Sequence, residues 1–270
     1  MNQYASKRGY ALILSTLLLA AAATGMVAIG RVAWHTSAEA IRAKQELQSR
    51  WGTISLERAV LFRSSSVARA LDASAGSVEQ EIQLGDMHLK VTISDEHVKL
   101  NLARLWSESA ANAQAFTGLI AQWFGASATP APRIRPSVNE GSTSLRHWLE
   151  DTNDFIEAES MLTCHSDGRL NVRRCPEARL RVWLERFVGR GTSDRFLNEL
   201  RRDRDRPIGN IIEALALSSD ERIRLTALVR DDTDVLAVRT SARQSLHVLT
   251  RQSLLRSSAG GWHVEVVEWR

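Results

Sequence analysis

The sequence predicts an α+β protein, with one long N-terminal helix, an antiparallel sheet, and a run of helices between the sheet's first and last strands. Three observations predict it. Residues 10–30 carry no charge. Residues 31–62 contain no proline, and their apolar side chains recur at three-to-four spacing. Beyond them, short segments alternate apolar and polar residues around 81–93 and again from 235 onward, with helical spacing in between.

The first element follows from length and charge. About 20 uncharged residues in a helix reach ~30 Å, the thickness of the hydrocarbon layer of a bilayer. Lys7 and Arg8 precede the run and Arg31 ends it. A basic pair before a span stays in the cytoplasm, which puts the rest of the chain on the far side. A cleaved secretory signal is the rival reading, with Ala20–Ala23 as small residues for a peptidase. The run is longer than a signal core and starts directly after Gly9, with no polar spacer. From Arg31 to Phe62 the helix continues, with Trp34, Ile41, Leu47, Trp51, Ile54 and Leu61 on an amphipathic stripe. Glu46 and Arg50 stand four apart in the favourable order. The stripe is expected to pack on the protein's own sheet, a partner helix being the alternative.

The soluble elements follow in order. Glu81–Leu84 and Leu89–Ile93 flank Gly85-Asp86 and read as a hairpin. Helices are expected over Asn112–Phe124, over Leu145–Phe155 with Trp148, and from Pro176 as a first helical position, where Trp183, Leu184 and Phe187 form the buried face. Residues 125–143 hold Pro130, Pro132 and Pro136 and read as a loop. Pro207 starts another helix, and Ser218 with Glu221 is spaced as a capping box for Asp220–Arg230. Val235–Arg239, Ser245–Thr250 and His263–Trp269 read as a three-stranded meander. Trp51, Trp106, Trp123, Trp148 and Trp183 are expected in cores, and one of Trp262 and Trp269 at a surface.

Composition excludes several classes. The net charge is +4 with 35 basic and 31 acidic residues interspersed, which is not the basic stripe of a nucleic-acid binder. Seven histidines show no metal spacing, and no nucleophile elbow or phosphate loop is present. Asp95-Glu96 are adjacent, so on a strand they face opposite sides and suit charging a turn or holding a basic partner. No enzyme activity is expected. Outside the cytosol, Cys164 and Cys175 are close enough in sequence to suggest a disulfide, worth about 3 kcal/mol in the chain-entropy model.

Lys7-Arg8-Gly9-Tyr10-Ala11-Leu12-Ile13 resembles the leader junction of type IV pilins and pseudopilins. The resemblance implies cleavage by a prepilin peptidase between Gly9 and Tyr10, methylation of the new amino terminus, and a helix that carries the subunit into a fibre. Most such subunits have Glu at the fifth mature position. Here it is Leu14, and the K-type minor pseudopilin of the type II secretion system is the member that lacks this Glu. A carboxylate in lipid is expensive unless paired. The stretch Asp95-Glu96-His97-Val98-Lys99-Leu100-Asn101 is similar to that family's strand ending in Asp-Glu, with a basic residue and an Asn-containing turn into a helix. Ser166-Asp167-Gly168-Arg169-Leu170-Asn171 echoes it, with Arg173 and Cys175 where the family has Asn and Ala.

The resemblance thus implies a leader (1–9), a transmembrane helix (10–30), a pseudopilin helix and first strands (31–102), an inserted all-α domain (103–230) and C-terminal strands (231–270). It implies a periplasmic head on a single inner-membrane span, with the I- and J-type minor pseudopilins, the pseudopilus, the prepilin peptidase and membrane lipid as partners. Some relatives hold structural calcium. No dense carboxylate loop matches here, so no cofactor is expected and a structural calcium stays an open alternative without support from the residues. A type IV minor pilin, an anchored periplasmic binding protein and a secreted hydrolase are the rival readings.

Overall fold

The computed structural model describes residues 3–74, 76–108, 113–124, 145–148, 155–244, 247–259 and 261–269. The expected proline-rich loop, and the residues between Trp148 and Phe155, lie outside them. Helix α1 (Gln3–Phe62) is unbroken over 60 residues, ~90 Å at 1.5 Å per residue. A short helix α2 (Ser64–Ala73) leads into the hairpin β1 (Ser77–Leu84) and β2 (Met87–Asp95). Gly85 takes the left-handed conformation the turn requires, φ 62°.

After a 3₁₀ turn (Glu96–Val98) come β3 (Leu100–Asn101), α3 (Leu102–Glu108), α4 (Ala113–Phe124), α5 (Leu145–Trp148) and α6 (Phe155–Met161). Then follow β4 (Leu162–Thr163), β5 (Leu170–Asn171), α7 (Glu177–Val188) and α8 (Arg190–Arg202). The helical part closes with α9 (Ile208–Ala214), α10 (Ser219–Leu228) and β6 (Val229–Arg230). The chain ends on β7 (Val235–Gln244), β8 (His247–Ser258) and β9 (Gly261–Trp269).

The five-stranded sheet has the order β1-β2-β7-β8-β9 and is antiparallel throughout. Its third strand, β7, pairs with β2 although 139 residues separate Asp95 from Val235 by number, so the helical segment is an insertion between adjacent strands. Val91, Ile93, Leu236, Val238 and Leu255 point from one sheet face toward Val60 and Leu71. The insertion has its own core around Trp148, Trp183, Phe116 and Phe196, all fully buried. Trp123 is buried there as well, whereas Trp51 is 56% exposed and so is not a core residue.

Two expectations change in detail. Ser218 does form both halves of a capping box with Glu221, but the helix stops at Leu228. Val229 and Arg230 extend instead and pair in parallel with Leu170 and Asn171. Pro176 and Pro207 stand one position earlier than expected, immediately before their helices, with extended ψ values of 134° and 137°.

The outer half of α1 departs more sharply. The row it lays on the sheet is Ser49, Thr53, Glu57 and Val60. Trp34, Ile41, Leu47 and Trp51 of the predicted stripe are 68, 57, 57 and 56% exposed. Only the end of that stripe is half-buried, at Ile54 and Leu61, with Leu61 packed on the sheet core; Leu47 and Trp51 border a shallow cavity beside Leu84, Met87 and Gln244. The reason lies on the sheet. Arg251 and Ser253 of β8 donate to the buried Glu57 carboxylate, Arg251 bidentately at 2.8 and 3.0 Å. Gly52 lets the helix approach Met87 and Leu89, where a Cβ would stand 3.1 Å from the Leu89 side chain. Polar complementarity and small size, not the apolar stripe, set the face.

Candidate functional site: a buried charged junction beneath an exposed apolar stem

The sheet and the helical insertion meet at the end of β2. Asp95, fully buried, accepts a hydrogen bond from the His97 backbone N–H at 2.8 Å and so caps the 3₁₀ turn. Its other oxygen accepts from Asn171 Nδ2 (3.1 Å), Arg174 Nη1 (3.0 Å) and the Thr233 hydroxyl. Arg174 reaches on to Asp72 of α2 at 2.7 Å. Glu96, on the other side of the turn, takes Lys99 Nζ and the Thr163 hydroxyl. Each of the adjacent carboxylates therefore holds a basic partner, in opposite directions.

His97 follows them in the same turn with no exposed surface. Its Nε2 is 2.6 Å from Asp234 Oδ1, and its Nδ1 is 3.1 Å from the Arg169 carbonyl and 3.4 Å from Asp167 Oδ1. Arg230 completes the group, contacting Asp232 (2.8 Å), Asp234 (3.1 Å) and Asp167 (3.4 Å). Burial pulls the His97 pKa down, but the carboxylates of Asp167, Asp234 and Asp95 outweigh it and Arg230, and the value ends above the usual 6.5. Burial opposes ionisation of Asp167 too. The His97 ring and the Arg169 backbone and guanidinium overcome it, holding that carboxyl well below the usual range. Among the described residues no cluster of His, Cys, Asp and Glu has a metal-binding arrangement, and the cation amid the three aspartates is Arg230.

The echo between the two Leu-Asn segments is structural. Leu100-Asn101 pairs in parallel with Leu162-Thr163, and Leu170-Asn171 with Val229-Arg230. Asn101 Oδ1 accepts from Arg104 N at 2.8 Å while its amide donates to the Ser166 carbonyl at 2.6 Å. Asn171 Oδ1 accepts from Arg173 N at 3.0 Å while its amide donates to Asp95 and to the Asp232 carbonyl. In each case one Asn closes the turn into the next segment and ties it to a distant loop.

Cys164 and Cys175 are free thiols, so the suggested bridge is not formed. Cys164 follows β4, whereas Cys175 is bound into the turn after β5, its N–H donating to the Asn171 carbonyl at 2.8 Å. The two short ladders thus fix the cysteines on separate turns. Burial pushes both thiols up to about 12.

Gly9 and Tyr10 lie inside α1, and Tyr10 is 70% exposed. From Leu12 to Val32 the large apolar side chains stand outward on every side of the helix. This helix is long and apolar enough to cross a membrane once, and none of its apolar window is buried against the head.

No family model matches the sequence, and no curated protein matches it. Among solved structures the chain is similar to one chain of the crystal structure of the GspK-GspI-GspJ complex from the enterotoxigenic Escherichia coli type 2 secretion system. The TM-score is 0.50 and the identity 13%, over 85% of this chain and 98% of that one. The fold is pseudopilin-like. Sheet, stem and insertion all fall in a pseudopilin-like α+β architecture, and the charged junction is where its insertion is fastened to its sheet.

The sequence singled out Asp95, Glu96 and Asn101, and the structure groups them with His97, Thr163, Asn171, Arg174, Arg230 and Asp234. His97 stood in the quoted stretch but, as a lone His, matched no metal or catalytic motif, and Thr163 carried no signal. Arg230-x-Asp232-x-Asp234 could have been found as a charge alternation leaving a helix.

Proposed function

We propose that this protein is a K-type minor pseudopilin of a type II secretion system, a structural subunit at the tip of the pseudopilus. The observation that carries the reading is a pseudopilin-like head, insertion included, borne on one unbroken helix whose uncharged part is exposed on all sides. The junction Lys7-Arg8-Gly9-Tyr10 and the apolar Leu14 support the same assignment. On this reading the prepilin peptidase removes residues 1–9, Tyr10 is methylated, residues 10–30 sit in the inner membrane, and the head stands in the periplasm. The I- and J-type minor pseudopilins are the partners, as the similar complex contains GspI and GspJ. The role is association, with no chemistry on a substrate: lipid-embedded helices pack side by side, and a head this large blocks addition of a further subunit above it.

The test is the N-terminal sequence and intact mass of protein extracted from membranes of the wild type and of Gly9→Leu. A wild-type chain beginning at Tyr10, with Gly9→Leu uncut and secretion lost, is the expected result. An intact wild-type leader supports a plain anchored binding protein, and a start near Thr24 a secreted one; either overturns the proposal.

A further inference from the structure

A cavity of about 410 Å³ opens where α3, α7 and α10 meet, lined by Arg104, Arg186, Phe187, Arg224, Ala227 and Leu228. Three of these six side chains are guanidinium groups, and none of the described lining residues is acidic. Several arginines nearby, Arg181 on α7 and three on α8, are paired. Arg181 meets Glu177, Glu185 and Asp194, Arg201 meets Glu177, Arg202 meets Glu199, and Arg195 meets Glu221. Glu177 and Glu185 of α7 and Glu221 of α10 are already engaged in this way, Glu221 also closing the cap with Ser218. Arg186 and Arg224 are exposed, and neither has an ionic or hydrogen-bonding partner among the described residues. Arg104 is held differently, its Nη1 donating to the Asp167 carbonyl at 3.2 Å.

The floor between the cations is apolar. Phe187 is half-buried and Leu228 buried. A forked guanidinium matches a carboxylate bidentately, and a ring beneath it takes an apolar neighbour of that carboxylate. An inorganic anion would use the charges and leave the Phe187–Leu228 floor unfilled. We propose that this cavity is a docking site for an acidic peptide segment of a partner protein, with Arg186 and Arg224 clamping a carboxylate and an apolar side chain next to it resting on Phe187 and Leu228. The partner is identified by this charge complementarity alone, and the site is independent of how the stem is processed.

The test uses the full chain in detergent micelles and a fluorescein-labelled Gly-Glu-Leu-Glu-Gly peptide, with binding followed by anisotropy. Competitors are the Gln-for-Glu peptide and inorganic phosphate. We expect Arg186→Gln and Arg224→Gln each to weaken binding ~fivefold and the double variant ~20-fold, the size of partly desolvated charge-assisted bonds. Arg190→Gln makes the same charge change at an 84% exposed side chain and should shift binding less than about twofold. Near-ultraviolet circular dichroism checks that the variants keep their fold. Equal losses in Arg190→Gln, or no loss in the double variant, overturn the site. Binding of the Gln peptide as tight as the acidic one overturns the carboxylate clamp. Displacement of the peptide by phosphate at equal concentration makes the cavity a simple anion site and overturns the peptide.

Discussion

At the scale of single residues, His97 is the group whose protonation the fold controls most directly. A histidine with a folded pKa above its unfolded value near 6.5 binds its proton more tightly in the native state. Its contribution is therefore complete below about pH 6.5 and is lost as the pH rises through the folded value. Asp167 has the opposite sign, since its carboxyl is depressed from the usual 3.8. Its contribution is present above about pH 4 and disappears on acidification. Together they place the most stable range between those limits. Urea midpoints taken from about pH 6 to pH 8.5 should fall for the wild type and fall less for His97→Gln, which keeps a neutral polar side chain at the site. Identical slopes in the two proteins would show that His97 is neutral throughout. The pair of asparagines marks the limit of what residues reveal in sequence. Asn101 and Asn171 stand out because each follows a Leu after a basic residue. Their partners Ser166 and Asp95 are 65 and 76 positions away, and no local pattern encodes such a reach.

At the scale of elements, α1 has two faces whose roles run against their polarity. The sheet takes Ser49, Thr53 and Glu57, and the solvent side keeps Leu47 and Trp51. Apolar periodicity identified the helix correctly but assigned the wrong face to the sheet, because periodicity reports that a face needs covering and is silent about what covers it. Thr53→Leu, at a fully buried position, should overpack the helix against the sheet and lower stability by about 1–3 kcal/mol. Trp51→Ser should change it by no more than about 0.5 kcal/mol, since the ring is more than half exposed. Denaturant midpoints of the two variants decide this, and a larger loss for Trp51→Ser would mean that the stripe does pack on the head. Helix α10 shows the same division of information. Its start is set locally by the Ser218–Glu221 box, whereas its end is set by β5, which draws Val229-Arg230 into a ladder.

At the scale of the whole molecule, two apolar cores share one polar joint. Asp95 touches the insertion through Asn171 and Arg174, α2 through Arg174 and Asp72, and the return to β7 through Thr233. Removing one partner of a buried ion pair typically costs about 3–5 kcal/mol. Asp95→Ala should therefore destabilise the head on that scale and uncouple its two parts. Four of the eight tryptophans, Trp106, Trp123, Trp148 and Trp183, lie in or against the insertion core, so with Trp34, Trp51, Trp262 and Trp269 replaced by Phe in both proteins, tryptophan emission reports on that part. Emission and far-ultraviolet dichroism should follow one denaturation curve in the wild type and separate in Asp95→Ala. Coincident curves in the variant would mean that the joint is not what couples the cores. The sequence by itself determined the stem, the hairpin, the capping box, the terminal strands and the helical character of the segment between them, because charge, periodicity and turn chemistry act over a few residues. Only the tertiary structure decided the face α1 offers the sheet, the free state of Cys164 and Cys175, and the gathering of Asp95, His97, Arg174, Arg230 and Asp234 at one point. Those depend on which distant groups meet, and buried charges must find opposite charges wherever the topology brings them.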